Sequence, residues 1–317
     1  MSTRLWNLFT NDYRQNCLRW SHSANNPVIP ASGESWKSIW VANPDFLEFQ
    51  GKQLLYYRGN GIQPGTDGQR HDRLAVAEVL QLTADNIEIR DLNGGEPIVD
   101  AGAPGEFDSK DVLDPASVVW QDQVFVYYSA VGDGPDSVGL AISSDGEHFT
   151  KYGKIMDGRA PEVIVKDGKL HMIYQMFSND GYQLHLASSE DGIHFTPVSD
   201  KPIFQDRTGG WDSLSIVTVR LMQDDEYYYM IYGASAYLAD EPDFFGLARS
   251  RDLLNWESHP GNPIFGCGAK GSEDGGAIWF PAIVETEEHF VMIYEGSRGK
   301  YTWDLSSQIC LSSIRKD

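Results

Sequence analysis

Apolar residues along this chain recur in short alternating runs that close on a tyrosine, and the same landmark returns five times. Thirteen residues separate Pro44 from Tyr57, Pro115 from Tyr128, Pro161 from Tyr174 and Pro281 from Tyr294; Val219 precedes Tyr232 by the same interval without the proline. The closing runs read alike: Leu54-Leu55-Tyr56-Tyr57, Phe125-Val126-Tyr127-Tyr128, His171-Met172-Ile173-Tyr174, Tyr229-Met230-Ile231-Tyr232 and Val291-Met292-Ile293-Tyr294. Such runs of aromatic and branched residues predict strands. A third strand of small and apolar residues follows in each unit: Leu74-Ala75-Val76, Gly139-Leu140-Ala141, Leu184-His185-Leu186-Ala187, Gly246-Leu247-Ala248 and Ile309-Cys310-Leu311. Three of these enter a polar turn that leads to an aromatic, at Asp145-Gly146 before Phe149, Asp191-Gly192 before Phe195, and Asp252-Leu253 before Trp256. Asp-Gly marks a hairpin because glycine accepts the positive φ of the turn.

Units of several short strands, spaced about 40 to 50 residues apart or more, predict sheets arrayed around an axis. The expected fold class is all-β, a five-bladed β-propeller forming one domain. Its blades fall at 30–99, 100–156, 157–204, 205–265 and 266–317. The fifth unit runs out after Ile309-Cys310-Leu311, too early for a fourth strand. Trp20 stands seven residues before Pro27, as Trp256 does before Pro263, and both prolines follow an asparagine. Residues 1–29 are therefore expected to supply the missing strand and close the ring, which removes an open edge. The alternative is a loose N-terminal arm.

Composition fits one all-β body, since propellers of this length form single domains. No eighteen-residue apolar run predicts a spanning helix, and Met1 to Asn16 lacks the apolar core of a signal peptide. Cys17, Cys267 and Cys310 are few and far apart, and read as reduced packing residues. Together these point to the cytoplasm, although a secreted chain stripped of its signal reads the same way. The net charge of −21 argues against nucleic acid and anionic membrane as partners. Oligomeric state does not follow from the pattern. No His or Cys spacing suits zinc, and Asp108, Asp111, Asp212 and Asp304 carry no calcium motif beyond what an acidic surface supplies. The glycine-rich stretch 266–276 lacks the Lys-Ser/Thr ending of a phosphate loop. No metal and no cofactor is expected.

Turns between first and second strands are short and polar, as in Gln50-Gly51-Lys52 and Lys166-Asp167-Gly168, so they make a plain face. The longer segments gather at the other end, the expected mouth. With strand alternation carried unbroken through the marker prolines, the residues flanking each proline share a face. That face reads Asn43 and Asp45, Asp114 and Ala116, Ala160 and Glu162, Thr218 and Arg220, Phe280 and Ala282. Asp45, Asp114, Glu162 and Arg220 are thus expected to converge on the axis; each acid has the alternative role of capping a loop amide. Several acids in one polar funnel suit glycosidic cleavage, where one carboxyl protonates the leaving oxygen and another activates water or attacks the sugar. Expected substrate-binding residues are Asn43, Arg58, His71, Asp72, Arg159, Trp211, Asp212, Arg220 and Trp279. Arginines can grip phosphate or a sugar carboxylate bidentately, or bridge blades. His71 and Asp72 read as part of a long blade-one loop. Trp211, Tyr237, Trp279 and Trp303 offer rings for sugar stacking, and of these Trp211 and Trp303 are expected at the rim.

Taken together, Asn43-Pro44, Asp114-Pro115, the aromatic second strands and the Ser-x-Asp-Gly turns make the chain resemble the five-bladed β-propeller glycosidases of glycoside hydrolase families 43, 32, 62, 68, 117 and 130. The resemblance spans essentially the whole chain. It implies one acid from each of the first three blades, with Asp114 as the blade-two aspartate, serving as a pKa-setting stabiliser or, as in family 130, as proton donor. Two positions depart from family 43: Asn43-Pro44 stands where an Asp-Pro base is expected, and Arg159-Ala160-Pro161-Glu162 where a glutamate precedes the proline by two. Asn43-Pro44, Tyr57-Arg58-Gly59 and Trp279-Phe280-Pro281 are similar to family 130, which includes phosphorylases. The expected activity is hydrolysis of a terminal or short oligosaccharide, inverting by family analogy, with Glu162 as acid, Asp45 as base and Asp114 orienting them. The alternatives are a phosphorylase whose arginines hold phosphate, and a propeller that only binds sugar.

Overall fold

The computed structural model describes residues 2–33, 35–62, 68–178, 181–204 and 209–317. Five antiparallel sheets surround an axis. Their first, inner strands are Trp40–Phe49, Asp111–Trp120, Arg159–Lys166, Ser215–Gln223 and Ala277–Glu285. The tyrosine-closing runs are the second strands, next outward in every sheet. Alternate side chains fill the gaps between blades. Tyr56 packs toward blade two with Val112, Val124 and Val126, whereas Tyr57 packs toward blade five with Val291 and Ile293.

The landmark tyrosine recurs because its ring fills that core while its hydroxyl finds an acid. Tyr57, Tyr128, Tyr232 and Tyr294 donate to Asp91, Asp108, Asp212 and Asp274 at 2.9, 3.1, 3.0 and 2.5 Å. The tyrosine before it ties blades together: Tyr56 and Tyr127 donate to the carbonyls of Gly146 and Gly192 in the Asp-Gly turns of the next blade, at 2.9 and 2.6 Å.

The N-terminal segment closes the ring. Ser21–His22 pairs with Ser312 and Ser313 on the outer side of the fifth sheet, and Ile29 bridges Ile309. Asn26 makes both amide hydrogen bonds to the backbone of Leu311, as Asn262 does to Leu247 in blade four. The repeated Asn-Pro spacing is thus one structural device used twice. His22 adds a 2.6 Å contact to Asp274. Ahead of this strand the chain forms two helices, Ser2–Leu8 and Tyr13–Leu18, and not a loose arm. Leu5 and Trp6 on the first helix, and Phe9 just beyond it, pack into one cluster with Tyr229, Phe245 and Phe290. Among the described residues no helix is long and apolar enough to cross a membrane.

A bulge interrupts every inner strand. The register jumps between Ala42 and Asp45, Leu113 and Ala116, Arg159 and Glu162, Ile216 and Thr218, and Trp279 and Ala282. In the four blades with a marker proline, the preceding residue takes positive φ: Asn43 at 50°, Asp114 at 53°, Ala160 at 43° and Phe280 at 48°. Asn and Asp tolerate that conformation better than other non-glycine residues. The bulge breaks the alternation, so the expectation that Asn43 and Asp45 share a face, or Ala160 and Glu162, is corrected here.

Candidate active site

The bulges decide what reaches the mouth. A cavity of about 400 Å³ opens at the axis, on the side where the inner strands begin, with Trp40, Arg58, Asp72, Asp111, Asp136, Arg159, Asp240 and Trp303 in its walls. It narrows to an inner pocket of about 40 Å³, lined by Asn43, Arg58, Asp114, Arg159, Thr218, Asp240, Trp279 and Glu295 among others. The bulge residues Asn43, Asp114 and Phe280 form part of this floor.

The residue after each landmark tyrosine makes a second ring: Arg58, Ser129, Gln175, Gly233 and Glu295. Two of its members hold the bulge amide of the following blade. Ser129 Oγ accepts from Ala160 N at 2.6 Å and donates to Asp114 Oδ2 at 2.7 Å. Glu295 Oε2 accepts from the Asn43 amide and side chain at 3.3 and 3.0 Å, and its other oxygen accepts from Ser307 at 2.6 Å. Sequence reasoning missed Glu295, although its place after Tyr294 was a readable signal.

Arg58 lies between Asp72 and Glu295 at 3.6 and 3.7 Å, too far for hydrogen bonds, and its buried Nε has no hydrogen-bond partner among the described residues. Burial opposes its charge, but Asp72, Glu295, Asp114 and Asp111 together hold its pKa above the ordinary value. Asp72 is committed elsewhere, accepting from Trp40 Nε1 at 2.9 Å and Asn60 Nδ2 at 3.0 Å. Burial raises the pKa of both Asp72 and Glu295, with Arg58 opposing the rise.

Arg159 donates to the Tyr182 hydroxyl at 2.5 Å, lies over that ring at 4.7 Å, and meets Asp240 at 3.6 Å. Asp240 sits on the blade-four loop, positioned by Trp279 Nε1 donating to its carbonyl at 2.7 Å. Its side chain is 32% exposed, and among the described residues its carboxyl meets Arg159 alone. Burial raises its pKa; Arg159 works against the rise and the charge of Asp114 adds to it. Sequence reasoning named Tyr237, three residues earlier, but not Asp240.

Other expected site residues lie elsewhere. Arg220, Asp45 and Glu162 form a buried clasp on the axis and line neither cavity. Arg220 donates to Glu162 and to the carbonyls of Pro44 and Pro115, each at 3.0 Å, stands 3.5 Å from Asp45, and lies 4.8 Å over the Phe280 ring. A blade-four side chain thus touches blades one, two, three and five. Asp45 accepts from the Ser117 amide and hydroxyl at 2.7 and 2.5 Å, and Glu162 from Leu221 N at 2.8 Å. Their separation from the mouth follows from the bulge, which turns Asn43 and Asp114 toward the cavity and leaves the next residues beneath it.

His71 and Asp72 belong to a long strand, Arg70–Leu82, not to a loop, and the His71 Nδ1 meets the Lys110 carbonyl. Trp211 stacks on Tyr232 at 5.6 Å and packs against the core, and Asp212 receives the Tyr232 hydroxyl; neither lines the cavities. Asn43, Arg58, Asp72, Asp114, Arg159 and Trp279 are the expected residues that the fold does bring together. Among the described residues, no group of three or more His, Cys, Asp or Glu is placed to hold a metal.

This architecture defines a five-bladed β-propeller of the kind found in glycoside hydrolases and phosphorylases. It is similar to the β-1,2-mannobiose phosphorylase of Listeria innocua in complex with β-1,2-mannobiose, with TM-score 0.71 over 94% of this chain and 97% of that one, at 14% identity. A structure from glycoside hydrolase family 130, described as mannoside phosphorylases that contain hydrolases targeting β-1,2-mannosidic linkages in Candida mannan, matches with TM-score 0.67 at 16% identity, over 93% of each chain. A glycosyl hydrolase from Bacteroides ovatus matches with TM-score 0.67 at 17% identity, over 93% of this chain and 92% of that one. At such identities the likeness establishes the shared fold. No protein-family model and no curated protein matches the sequence.

Proposed function

We propose that the chain cleaves a glycosidic bond of an oligosaccharide, with Asp114 and Asp240 as the working carboxyl pair. The observation that carries this reading is their meeting in one pocket from separate blades, with Arg58 and Arg159 in the same lining. Asp240, its pKa raised by burial and by Asp114, suits the general acid that protonates the leaving oxygen. Asp114, hydrogen-bonded to Ser129, suits the base that activates water. Asp72 and Glu295, occupied by Trp40, Asn60, Asn43 and Ser307, hold Arg58 and take no proton in this scheme. Asp45 and Glu162 act as structural partners of Arg220.

The acid role has a specific test. Asp240→Asn should lose turnover of natural oligosaccharides by about 10²-fold or more, yet retain much of it on aryl glycosides whose leaving group needs no proton. Equal loss on both substrates would remove Asp240 from that role. Inversion at the anomeric carbon is expected, and NMR of the first-formed anomer checks it.

A second reading follows from Arg58, whose Nε has no hydrogen-bond partner among the described residues and whose two acids stay beyond hydrogen-bond range. Its donors suit phosphate as the attacking group, which would make the reaction phosphorolysis. Formation of a sugar 1-phosphate that depends on inorganic phosphate supports this reading; phosphate-independent release of free sugar excludes it.

A further inference from the structure

One part of the mouth carries large rings open to solvent. Trp303 is 66% exposed, yet it forms part of the same cavity wall as Asp240 and Arg159. Tyr301 stacks flat against it, with centroids 4.5 Å apart and planes 5° from parallel. Rings so exposed gain little by burial, so their fixed orientation must come from the loop beneath them.

That loop is built to be rigid. Tyr301 N donates to Asp304 Oδ2 at 2.9 Å, and Gly299 N donates to Ser306 Oγ at 3.1 Å, while Ser306 also meets Ser297 at 2.7 Å. A side chain at position 299 would collide with Asp304, 2.3 Å from where its Cβ would stand, so the closure requires glycine there. The loop is also clamped to the segment that carries Asp240. Lys300 pairs with Asp243 and donates to the Glu241 carbonyl at 3.4 Å. The ring pair and Asp240 therefore sit on one tied unit, and Thr302 reaches the inner pocket.

We propose that the Tyr301–Trp303 pair is a subsite for a pyranose ring on the leaving-group side of Asp240, so that the substrate is an oligosaccharide longer than a disaccharide. This rests on the reading of Asp240 as the acid. The sugar unit bonded to the oxygen that Asp240 protonates fills the cavity beside Arg159, and the next unit reaches the rim. There the indole face of Trp303 meets the C–H face of the ring. Pre-stacking on Tyr301 spares the entropy of ordering the indole, the usual gain from preorganisation.

The test uses gluco-, manno- and xylo-oligosaccharides of two, three and four units. Turnover is compared in the wild type, Trp303→Ala and Trp303→Phe, and binding is followed by saturation-transfer NMR in an Asp114→Asn background. Stacking of this kind contributes about 1 kcal/mol or somewhat more. The ratio of kcat/KM for tri- over disaccharide should therefore fall roughly tenfold in Trp303→Ala, mainly through KM, and recover largely in Trp303→Phe. Saturation transfer to the outermost ring should vanish with the indole. If no sugar is turned over but trisaccharide binding depends on Trp303, the subsite stands and the catalytic reading falls. An unchanged chain-length ratio in Trp303→Ala, or absence of Trp303-dependent binding by any oligosaccharide tested, overturns the subsite.

Discussion

Replacing Arg220 separates a structural clasp from a substrate contact. The guanidinium is 5% exposed and engages Glu162, Asp45 and the carbonyls of Pro44 and Pro115 on the axis. Arg220→Met keeps the stem volume and strands two buried carboxyls and two carbonyls. Breaking a buried ion pair by removing one partner costs about 3–5 kcal/mol, which for a chain of this size lowers the melting temperature by on the order of 10 °C. Differential scanning calorimetry at a pH above about 8, where Glu162 is charged, reads the loss directly. Adding Asp45→Asn and Glu162→Gln to Arg220→Met should return much of it, because no uncompensated charge is then buried. A variant that melts at the wild-type temperature while losing sugar turnover would refute this reasoning and put Arg220 against the substrate. The cluster also sets a pH dependence. Burial pushes Glu162 up to about 8, with Arg220 opposing and the Asp45 charge adding. The folded chain then keeps a proton that the unfolded chain has already released, so stability falls as pH rises from the ordinary carboxylate range through about 8. Glu162→Gln should flatten that decline.

The remaining predictions concern the pocket and the closure of the ring. Asp114→Asn and Asp240→Asn should each lower turnover by about 10²- to 10⁴-fold while circular dichroism and melting stay near wild type. Because the pKa of Asp240 is raised and its protonated form is the active one, turnover should decline on the alkaline side, and Asp240→Asn should remove that limb from the pH–rate profile. Asp274 is buried, which alone would raise its pKa, but hydrogen bonds from His22 and Tyr294 bring it down to about 2. Its contribution is present above the unfolded carboxylate pKa and is lost as pH falls toward about 2. Asp274→Ala, which frees the Tyr294 hydroxyl and His22 together, should cost about 1–3 kcal/mol in urea unfolding, and no loss would dismiss the latch at the ring closure.

The propeller was legible because it is a repeat: the tyrosine interval, the third strands and the Asp-Gly turns each report one supersecondary unit, and the two Asn-Pro segments identify the closing strand. The helices at Ser2–Leu8 and Tyr13–Leu18 were not read because so short a stretch competes poorly with the closing-strand pattern beside it. The site was legible to the level of single bulge residues. Asn43 and Asp114 precede their prolines and reach the floor, but strict alternation carried the reading on to Asp45 and Glu162, two residues along. A bulge adds one residue to a strand and reverses the faces beyond it, and periodicity does not register it. Arg58 and Arg159 were found as charges near the marker. Asp240 was not, since a loop carboxylate gains its place from Trp279 and Arg159, contacts made across blades.

The most direct measurement is product analysis by NMR, after incubating wild-type protein and Asp114→Asn with a broad oligosaccharide panel, with and without inorganic phosphate. A sugar released by the wild type, free or as its 1-phosphate, and lost in the variant is the result predicted for a pocket that breaks glycosidic bonds. Turnover that persists unchanged in Asp114→Asn, or saturable sugar binding by the wild type without product, would contradict it.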